Sequence, residues 1–343
     1  MKAVIINEYG DIDKLDICQV PDPIPGPGEA IVRLKTAGIN HLDHDVREGI
    51  SGFPINLPHV PGIEGAGEVV GLGKGVTSAS EGDRVAIALL APCGRCKMCR
   101  SGQDNLCFNG HFLGASMWGT YAQYVKCYES QLVPLPYNLD YDNAAASHLC
   151  FGTAWHMAVH YGQVKAGMFV LVNAAGSGVG TSAIQIAKLH NANVIASAGS
   201  DEKLKKAKEL GADYIVNYEK EDLAKYVLEI TKGLGADLII ESVGGKVLTK
   251  SIESAAKGGT LVTCGAHAGE QIELDVIQLF RKNLRFQGSV LSTRAEMEHV
   301  FELVANKKLK PVIHTKMKLE NVRKAAMLTR DRNFFGKLLL DAS

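Results

Sequence analysis

The sequence predicts a two-domain α/β protein, and three observations lead to this fold class. The chain has 343 residues, more than one ordinary hydrophobic core accommodates. Residues 1–150 contain short apolar runs separated by turns rich in proline and glycine, which is typical of β-structure. From residue 151 onward, apolar strands alternate with helical segments, which predicts a doubly wound parallel sheet of six strands.

The predicted parallel sheet is built from short apolar strands. They are predicted at Phe169–Val172, Val194–Ala196, Tyr214–Val216, Leu238–Ile240, Thr260–Thr263 and Leu284–Phe286. After the first three strands, helices are predicted up to Leu189, over Asp201–Leu210 and over Glu221–Thr231. Strands that alternate with helices in this way indicate a parallel sheet.

The other segments are assigned to the β-rich domain. Its turn signals are Pro21, Pro23, Pro25, Gly26, Pro27 and Gly28 in one loop, and Gly71, Gly73 and Gly75 in another. Near the end of the chain, a helix is predicted over Ala295–Ala305 and a last strand over Lys337–Leu340. We expect this final segment to return to the first domain.

The composition excludes several classes of protein. Apolar residues make up 46% of the chain and charged residues 22%, with 37 basic and 37 acidic side chains, which is typical of folded domains. Balanced charge and the lack of a basic stripe disfavour a nucleic-acid partner. The sequence has no apolar run of about 18 residues and no leader pattern at its N-terminus. We therefore expect no membrane partner and a cytoplasmic location.

Four of the eight cysteines form a cluster with the spacing C-x2-C-x2-C-x7-C. They are Cys93, Cys96, Cys99 and Cys107. Four thiolates on one short segment match a closed tetrahedral zinc site. An iron–sulfur cluster also uses four cysteines, but here no proline follows the last of them. Because a closed site has no open coordination position, we expect one structural zinc per chain.

A glycine-rich turn joins the first parallel strand to its helix. Such a turn lets the backbone approach a pyrophosphate, which then lies at the helix N-terminus. Compared with the pattern G-x-G-x-x-G, Ala175 and Ser177 replace the first two glycines, and Gly180 is the third. A tight turn without a ligand is the alternative. The predicted dinucleotide contacts are Gly176, Ser177, Gly178 and Val179.

The end of the second parallel strand distinguishes the two nicotinamide cofactors. Binding of NAD usually requires a carboxylate there for the ribose hydroxyls, and this position is Ala198. A 2′-phosphate fits the donors of Gly199 and Ser200, with Lys203 as the counter-charge. We therefore predict a preference for NADP(H). In the alternative, NAD(H) binds and Asp201 or Glu202 serves as the ribose acid, unless Asp201 is simply the helix N-cap.

These features together resemble the medium-chain dehydrogenase/reductase superfamily, which includes the zinc alcohol dehydrogenases and the quinone oxidoreductases. The resemblance covers essentially the whole chain. Besides the cysteine cluster and the glycine turn, it is carried by PGIEGAGEVVGLGKGV (Pro61–Val76), GDRV (Gly82–Val85), GTYAQYV (Gly119–Val125), FGTAWHMAV (Phe151–Val159), LGADYIVNY (Leu210–Tyr218) and FGKLLL (Phe335–Leu340).

The resemblance implies a GroES-like β-barrel catalytic domain at residues 1–150 and 292–343, with a zinc lobe at about 92–108. The dinucleotide-binding Rossmann domain then spans residues 151–291. Thr153, Tyr218 and Gly265 join the expected cofactor contacts. An enzyme of this family is expected to act on a small molecule and to form a homodimer or homotetramer.

The resemblance also raises a difficulty, because zinc alcohol dehydrogenases hold a second, catalytic zinc. The three ligand positions correspond here to Asn40, Ile63 and Cys150. The two positions that usually relay the alcohol proton are Leu42 and Asp45. An open catalytic site needs about three protein ligands, and this chain retains only the Cys150 thiol.

The segment GINHLDHDVREG (Gly38–Gly49) resembles the quinone oxidoreductase branch, in which Asn40 and Asp43 would flank the nicotinamide. We therefore expect reduction of a carbonyl-conjugated C=C bond or a quinone without a catalytic zinc. That branch often has a tyrosine at Asp45, and it generally lacks the cysteine cluster. The candidate catalytic residues are Asn40, Asp43 and Cys150.

Two alternatives remain open. The first is a zinc-dependent alcohol dehydrogenase with an atypical metal site, since imidazole is a good zinc ligand. Its candidate ligands are His41, His44, His59, Glu64 and Cys150. The second is a protein that binds NADPH without catalysing a reaction.

Replacement of Lys203 tests the predicted cofactor preference. A hydrogen bond to a charged group contributes about 1.5–3 kcal/mol, so Lys203→Ala should weaken NADPH binding roughly ten-fold or more and leave NADH binding nearly unchanged. Dissociation constants for both cofactors, measured by titration, check this. Tighter binding of NADH by the unmodified protein would refute the preference and point to Asp201 as the ribose acid.

Overall fold

All residues, Met1–Ser343, are described in a computed structural model. The chain divides into two compact units. The first comprises Met1–Leu149 and Thr293–Ser343, and the second comprises Cys150–Ser292. None of the helices combines the length and the apolar character that crossing a membrane requires.

Strands and helices occur throughout both units. The strands are β1 (Lys2–Ile5), β2 (Asp16–Gln19), β3 (Glu29–Gly38), β4 (Gly65–Leu72), β5 (Arg84–Ile87), β6 (Leu90–Ala91), β7 (His111–Phe112), β8 (Tyr124–Tyr128), β9 (Leu132–Pro134), β10 (Phe169–Val172), β11 (Asn193–Ala198), β12 (Tyr214–Asn217), β13 (Ala236–Glu241), β14 (Ala255–Thr263), β15 (Arg285–Gly288), β16 (Ile313–Lys318) and β17 (Lys337–Asp341). The α-helices are α1 (His41–Glu48), α2 (Lys97–Arg100), α3 (Tyr141–Trp155), α4 (Gly178–Leu189), α5 (Asp201–Glu209), α6 (Leu223–Ile230), α7 (Gly245–Ser254), α8 (Val276–Arg281), α9 (Arg294–Ala305) and α10 (Val322–Arg330). Short 3-10 helices span Ile12–Lys14, Asp104–Leu106, Glu129–Gln131 and Leu319–Asn321, and a π-helix spans His156–Tyr161.

The second unit contains the predicted parallel sheet. Its six strands lie in the order β12-β11-β10-β13-β14-β15, and every pair is parallel. The chain adds strands on one side of β10 up to β12 and then on the other side from β13 onward. Doubly wound sheets bind nucleotides at this point of reversal. Leu171, Ile195 and Ile239 lie at matching positions of the three adjacent strands β10, β11 and β13 and are fully buried. The structure confirms the α/β fold class.

Some element ends differ from those predicted. Helix α6 begins at Leu223, two residues after the predicted Glu221, because the Asp222 carboxylate accepts the Lys225 N–H at 2.9 Å and caps the helix. Strand β14 begins at Ala255, before the predicted Thr260. Its first part contains Gly258 and Gly259 and lacks an apolar pattern, but it still pairs with β13 through Ala236 and Ala255.

The first unit is organised around β3. This long strand belongs to a seven-stranded sheet and pairs antiparallel with β4, β8 and β17. At its end, Gly38 lies opposite Leu339 of β17, and Ala37 lies opposite Gly65 of β4. The registers therefore bring Lys337 and Glu64 close to the segment that follows β3. That segment contains Asn40.

The second unit exposes several large apolar side chains on α8, just before it and on the edge strand β15. Phe280 on α8 is 65% exposed, and strand β15 pairs only with β14. We name this the α8–β15 surface, and it comprises Leu274, Val276, Ile277, Phe280 and Phe286. Exposed large apolar side chains and an unpaired sheet edge are both typical of surfaces that bind another protein chain.

Candidate functional site

The four clustered cysteines converge in the first unit. The Sγ atom of Cys96 lies 3.6 Å from that of Cys99 and 3.9 Å from that of Cys107. All four sulfurs lie within 4.8 Å of one another. Tetrahedral zinc with Zn–S bonds of about 2.3 Å requires sulfurs about 3.8 Å apart. The side chains therefore fit a closed zinc site, as the spacing predicts.

Backbone N–H groups surround these sulfurs. The Cys93 N–H donates to Cys107 Sγ at 3.2 Å, and the Cys96 N–H donates to Cys93 Sγ at 3.4 Å. Backbone N–H groups of Cys99 and Phe108 lower the pKa of the Cys96 thiol to about 6. Because zinc binds the thiolate form, these donors favour metal binding.

The glycine turn leads directly into α4. Ser177 is the N-cap, and its hydroxyl accepts the Gly180 N–H at 2.9 Å. A Cβ atom at Gly180 would lie 2.2 Å from the Ala174 carbonyl oxygen, so only glycine fits at this third position. The N–H groups of Gly178 and Val179 belong to the first turn of the helix, which favours bound phosphate. The turn therefore fits the dinucleotide that its sequence predicts.

The end of β11 carries no carboxylate, since its last residue is the buried Ala198. Ser200 is the N-cap of α5, so the alternative assignment of Asp201 as the N-cap is wrong; the helix already begins at Asp201. The Asp201 carboxylate accepts hydrogen bonds from Asn217 Nδ2 at 2.6 Å and Lys220 Nζ at 2.5 Å. These two hydrogen bonds lower the pKa of Asp201, and the one from Lys220 has the larger effect. Its carboxylate is therefore engaged with neighbouring residues.

The other expected cofactor residues lie in several parts of the second unit. Gly199 is close to Tyr218, because an added Cβ atom would lie 3.3 Å from the Tyr218 hydroxyl. Gly265 follows β14, and an added Cβ atom would lie 3.2 Å from the Ser242 carbonyl oxygen. The remaining expected residues are Gly176 in the turn, the half-buried Lys203 on α5 and the buried Thr153 on α3. Their contact with a cofactor stays a prediction.

A buried carboxylate that the sequence analysis missed lies at the end of β13. Glu241 accepts the backbone N–H groups of Val243 and Gly244, the latter at 3.0 Å, and a hydrogen bond from Asn173 Nδ2. Asn173 Oδ1 in turn accepts the Ser197 hydroxyl at 2.5 Å. Burial raises the pKa of Glu241. This network links the carboxyl ends of β10, β11 and β13, next to the glycine turn.

Asn40 is the N-cap of α1 and is half-buried. Its Nδ2 donates to Glu64 Oε2 at 3.0 Å, and its Oδ1 accepts from Lys337 Nζ at 2.7 Å. The amide oxygen and one of the two N–H groups are therefore engaged within the first unit. Neither Glu64 nor Lys337 was singled out as a partner of Asn40 on sequence grounds. A lysine within the apolar strand FGKLLL is the signal that could have revealed the contact.

Asp43 is buried and holds three parts of the first unit together. Its carboxylate accepts the Asn40 N–H at 2.8 Å, the Ile63 N–H at 3.1 Å and the Tyr121 hydroxyl at 2.7 Å. Burial raises the pKa of Asp43 to about 6, and the Tyr121 hydroxyl acts in the opposite direction. With these donors on both carboxylate oxygens, Asp43 positions the segment around Asn40.

The residues that the resemblance assigns to the catalytic zinc positions do not fit a zinc ion. The amide of Asn40 is bound to Lys337 and Glu64, and the Ile63 side chain is apolar and only 1% exposed. Cys150 belongs to the second unit and is buried on α3. Its thiol alone does not provide the three ligands of an open zinc site.

The structure does not bring the candidate histidines together in a three-ligand group. Neither His41, His44 nor His59 belongs to any group of three closely spaced ligand atoms in the chain. His44 Nδ1 lies 2.9 Å from Arg47 Nη1, and burial, followed by the Arg47 charge, lowers the pKa of His44 to about 3. His59 is buried as well, which lowers its pKa. These side chains pack within the first unit.

Replacement of one clustered cysteine tests the zinc site. Cys99→Ser should release the metal and lower the thermal midpoint by roughly 10 °C or more, because a structural zinc contributes folding free energy. Cys18→Ser is the control, since Cys18 lies outside the cluster. Mass spectrometry of the native protein and thermal unfolding are the measurements. Native protein without metal, or an unchanged midpoint in Cys99→Ser, would contradict the assignment.

Comparisons with known proteins agree with this architecture. The family model "Alcohol dehydrogenase GroES-like domain" matches residues 26–137, and "Zinc-binding dehydrogenase" matches residues 178–306. An alcohol dehydrogenase of Geobacillus stearothermophilus is 33% identical, over 99% of this chain and 98% of that relative. The crystal structure of an NAD-dependent alcohol dehydrogenase has 42% identity and a TM-score of 0.95, with 100% of both chains covered. A cobalt- and zinc-bound thermostable alcohol dehydrogenase from Pyrobaculum aerophilum has 30% identity and a TM-score of 0.90, with 99% of both chains covered. The chain is therefore an oxidoreductase of the alcohol dehydrogenase type and belongs to the zinc-type medium-chain dehydrogenase/reductase superfamily.

Proposed function

We propose that this oxidoreductase transfers hydride between a nicotinamide cofactor and a small carbonyl-conjugated C=C bond or quinone, without a catalytic zinc. The observation that carries the proposal is the pair of residues at the first two zinc-ligand positions. Asn40 has its amide bound to Lys337 and Glu64, and Ile63 offers no ligand atom. A reaction that proceeds here must stabilise negative charge by hydrogen bonding.

The chemistry of a conjugated acceptor suits these residues. When bound, the nicotinamide supplies the hydride. As the acceptor carbon gains hydride, the electron pair of its double bond moves toward the conjugated oxygen, and a proton from water completes the product. Asn40 is the donor that stabilises the charge on this oxygen, and Asp43 positions Asn40. Because conjugation spreads the charge, a neutral donor suffices, whereas a simple ketone or alcohol depends more strongly on a Lewis acid.

The second candidate is a metal-dependent alcohol dehydrogenase, and the names of the relatives favour it. Relatives over nearly the whole chain are named alcohol dehydrogenase, including the one from Geobacillus stearothermophilus. This candidate requires a metal site other than the usual one, because Asn40 and Ile63 stand at two of its ligand positions. Alcohol oxidation that is lost on chelation, while the cysteine cluster keeps its metal, would establish it.

The preference for NADP(H) is also part of the proposal. Its support is Ala198 at the end of β11, together with the engagement of Asp201 by Asn217 and Lys220. Two similar proteins are named NAD-dependent alcohol dehydrogenases, which favours the other cofactor. Dissociation constants for the two cofactors decide between them.

We further propose that the chain forms a homo-oligomer through the α8–β15 surface, which exposes Phe280 and the edge strand β15. Phe280→Glu places a charge in this apolar surface and should reduce the assembly to monomers, because an unpaired charge is costly in an apolar interface. Tyr137→Glu, at another exposed aromatic residue, is the control. Sedimentation velocity measures the mass. A monomeric unmodified chain, or an unchanged oligomer in Phe280→Glu, would contradict this interface.

Replacement of Asn40 tests the reaction class. The unmodified protein should reduce enones or quinones with NADPH and oxidise simple alcohols only slowly. Asn40→Ala should lower the rate with conjugated acceptors about ten- to a hundred-fold, comparable to the loss of a weaker oxyanion-hole donor. Asn333→Ala, at an exposed asparagine, is the control. A second zinc per chain beyond the cysteine site, or faster turnover of alcohols than of enones, would contradict the proposal.

A further inference from the structure

The side-chain amide of Asn40 has only one favourable orientation. Lys337 Nζ lies 2.7 Å from Oδ1, and Glu64 Oε2 lies 3.0 Å from Nδ2. An ammonium group can only donate hydrogen bonds, and an ionised carboxylate can only accept them. A flipped amide would place Nδ2 against the ammonium and Oδ1 against the carboxylate, so it would lose both hydrogen bonds. The two charges therefore determine where the amide N–H bonds point.

The two charged groups are themselves held firmly. Lys337 Nζ lies 2.6 Å from Glu64 Oε2, and the two side chains are 5% and 0% exposed. Lys337 also donates to the Ile39 carbonyl oxygen at 3.0 Å, so three acceptors match its three N–H donors. Glu64 Oε1 accepts the Leu149 N–H at 2.7 Å. Because Lys337 donates to protein atoms, we expect it to influence a bound substrate only through Asn40.

The amide nitrogen of Asn40 carries two hydrogens, and Glu64 accepts one of them. The second hydrogen has no acceptor in the structure, and the Asn40 side chain is half-buried. Lys337 polarises the amide by donating to its oxygen, which strengthens the remaining N–H as a donor. This N–H is therefore oriented and polarised, and no acceptor in the chain is bonded to it.

We infer that Lys337 and Glu64 are positioning residues that hold one N–H of Asn40 ready to donate to the oxygen of a conjugated carbonyl or quinone substrate. This inference rests on the proposed function and adds to it the groups that set the geometry of the donor. The ion pair holds and polarises a neutral amide at the first ligand position, in place of a metal ligand.

The backbone at Gly38 provides an independent reason to regard the arrangement as specific. A Cβ atom at Gly38 would lie 2.2 Å from Glu64 Oε2, the oxygen that accepts from both Asn40 and Lys337. The last residue of β3 must therefore be glycine for the carboxylate to reach this position. Gly71 in β4 is a matched position in the same sheet, because its added Cβ atom would make only ordinary contacts at 3.6 Å with Ile31.

A double-mutant cycle between Lys337 and Asn40 tests the inference. Lys337→Met should lower kcat for a conjugated acceptor about ten-fold, as expected for loss of a well-oriented donor, and leave the KM for the cofactor unchanged. In the Asn40→Ala background the same change should have little further effect on kcat. Lys337→Arg, which keeps charge and donors, should restore most of the activity. Additive losses in the double variant would overturn the inference.

A second pair of variants retains both charged side chains. Gly38→Ala should displace the Glu64 carboxylate and lower kcat in the same way, whereas Gly71→Ala should not. Circular dichroism of each variant reports whether it folds, so this pair decides the question if Lys337→Met does not fold. A folded Gly38→Ala variant with the kcat of the unmodified protein would also overturn the inference.

An NMR measurement separates this inference from the proposed function. In the unmodified protein labelled with ¹⁵N-asparagine, the Asn40 side-chain signals are assigned by their loss in Asn40→Ala. They should show one slowly exchanging proton, and Lys337→Met should abolish this protection. If the protection is present but enones are not reduced, the proposed function fails while the positioning of Asn40 stands. Rapid exchange of both amide protons in the unmodified protein would overturn the positioning itself.

Discussion

The buried ion pair between Glu64 and Lys337 is the interaction on which the first unit depends. Removal of one partner from such a pair leaves an uncompensated buried charge, which costs about 3–5 kcal/mol. Lys337 lies on the last strand of the chain, and Glu64 immediately precedes β4. Both contact the segment between β3 and α1. The contacts of the segment that carries Asn40 therefore require the C-terminal strand.

In the second unit, a buried carboxylate is stabilised by neutral hydrogen-bond donors and not by a buried cation. Glu241 is as deeply buried as Glu64, yet its carboxylate is satisfied by two backbone N–H groups, the Asn173 amide and the Ser251 hydroxyl. Hydrogen bonds to a carboxylate offset part of the cost of its burial. The network joins the strands that lead into the glycine turn. In both units a buried carboxylate thus lies beside a segment that our proposal assigns to the reaction or to the cofactor.

The cysteine lobe differs from both, because its geometry is mostly local. Three of its ligands lie within Cys93–Cys99, and the fourth follows after the short helix α2 and a 3-10 turn. Backbone N–H groups of the same segment donate to the sulfurs. A zinc ion here would link neighbouring parts of one loop. A closed site of this kind supports structure and leaves no coordination position for a substrate.

Local patterns in the sequence determined the fold class, the cysteine cluster and the glycine turn, because each depends on the spacing of neighbouring residues. The apolar run Phe169–Val172 and the turn before Gly180 were predictable for this reason. The ends of α6 and β14 were less predictable, since a capping carboxylate and pairing with β13 set them. The environment of Asn40 was decided only by the tertiary structure. Lys337 is 297 residues away from Asn40 in sequence, and only the pairing of β17 with β3 brings the ammonium to the amide. The sequence, through its resemblance to the family, predicted that Asn40 and Ile63 replace two of the three zinc ligands. The buried charges that orient the Asn40 amide follow from the register of the sheet.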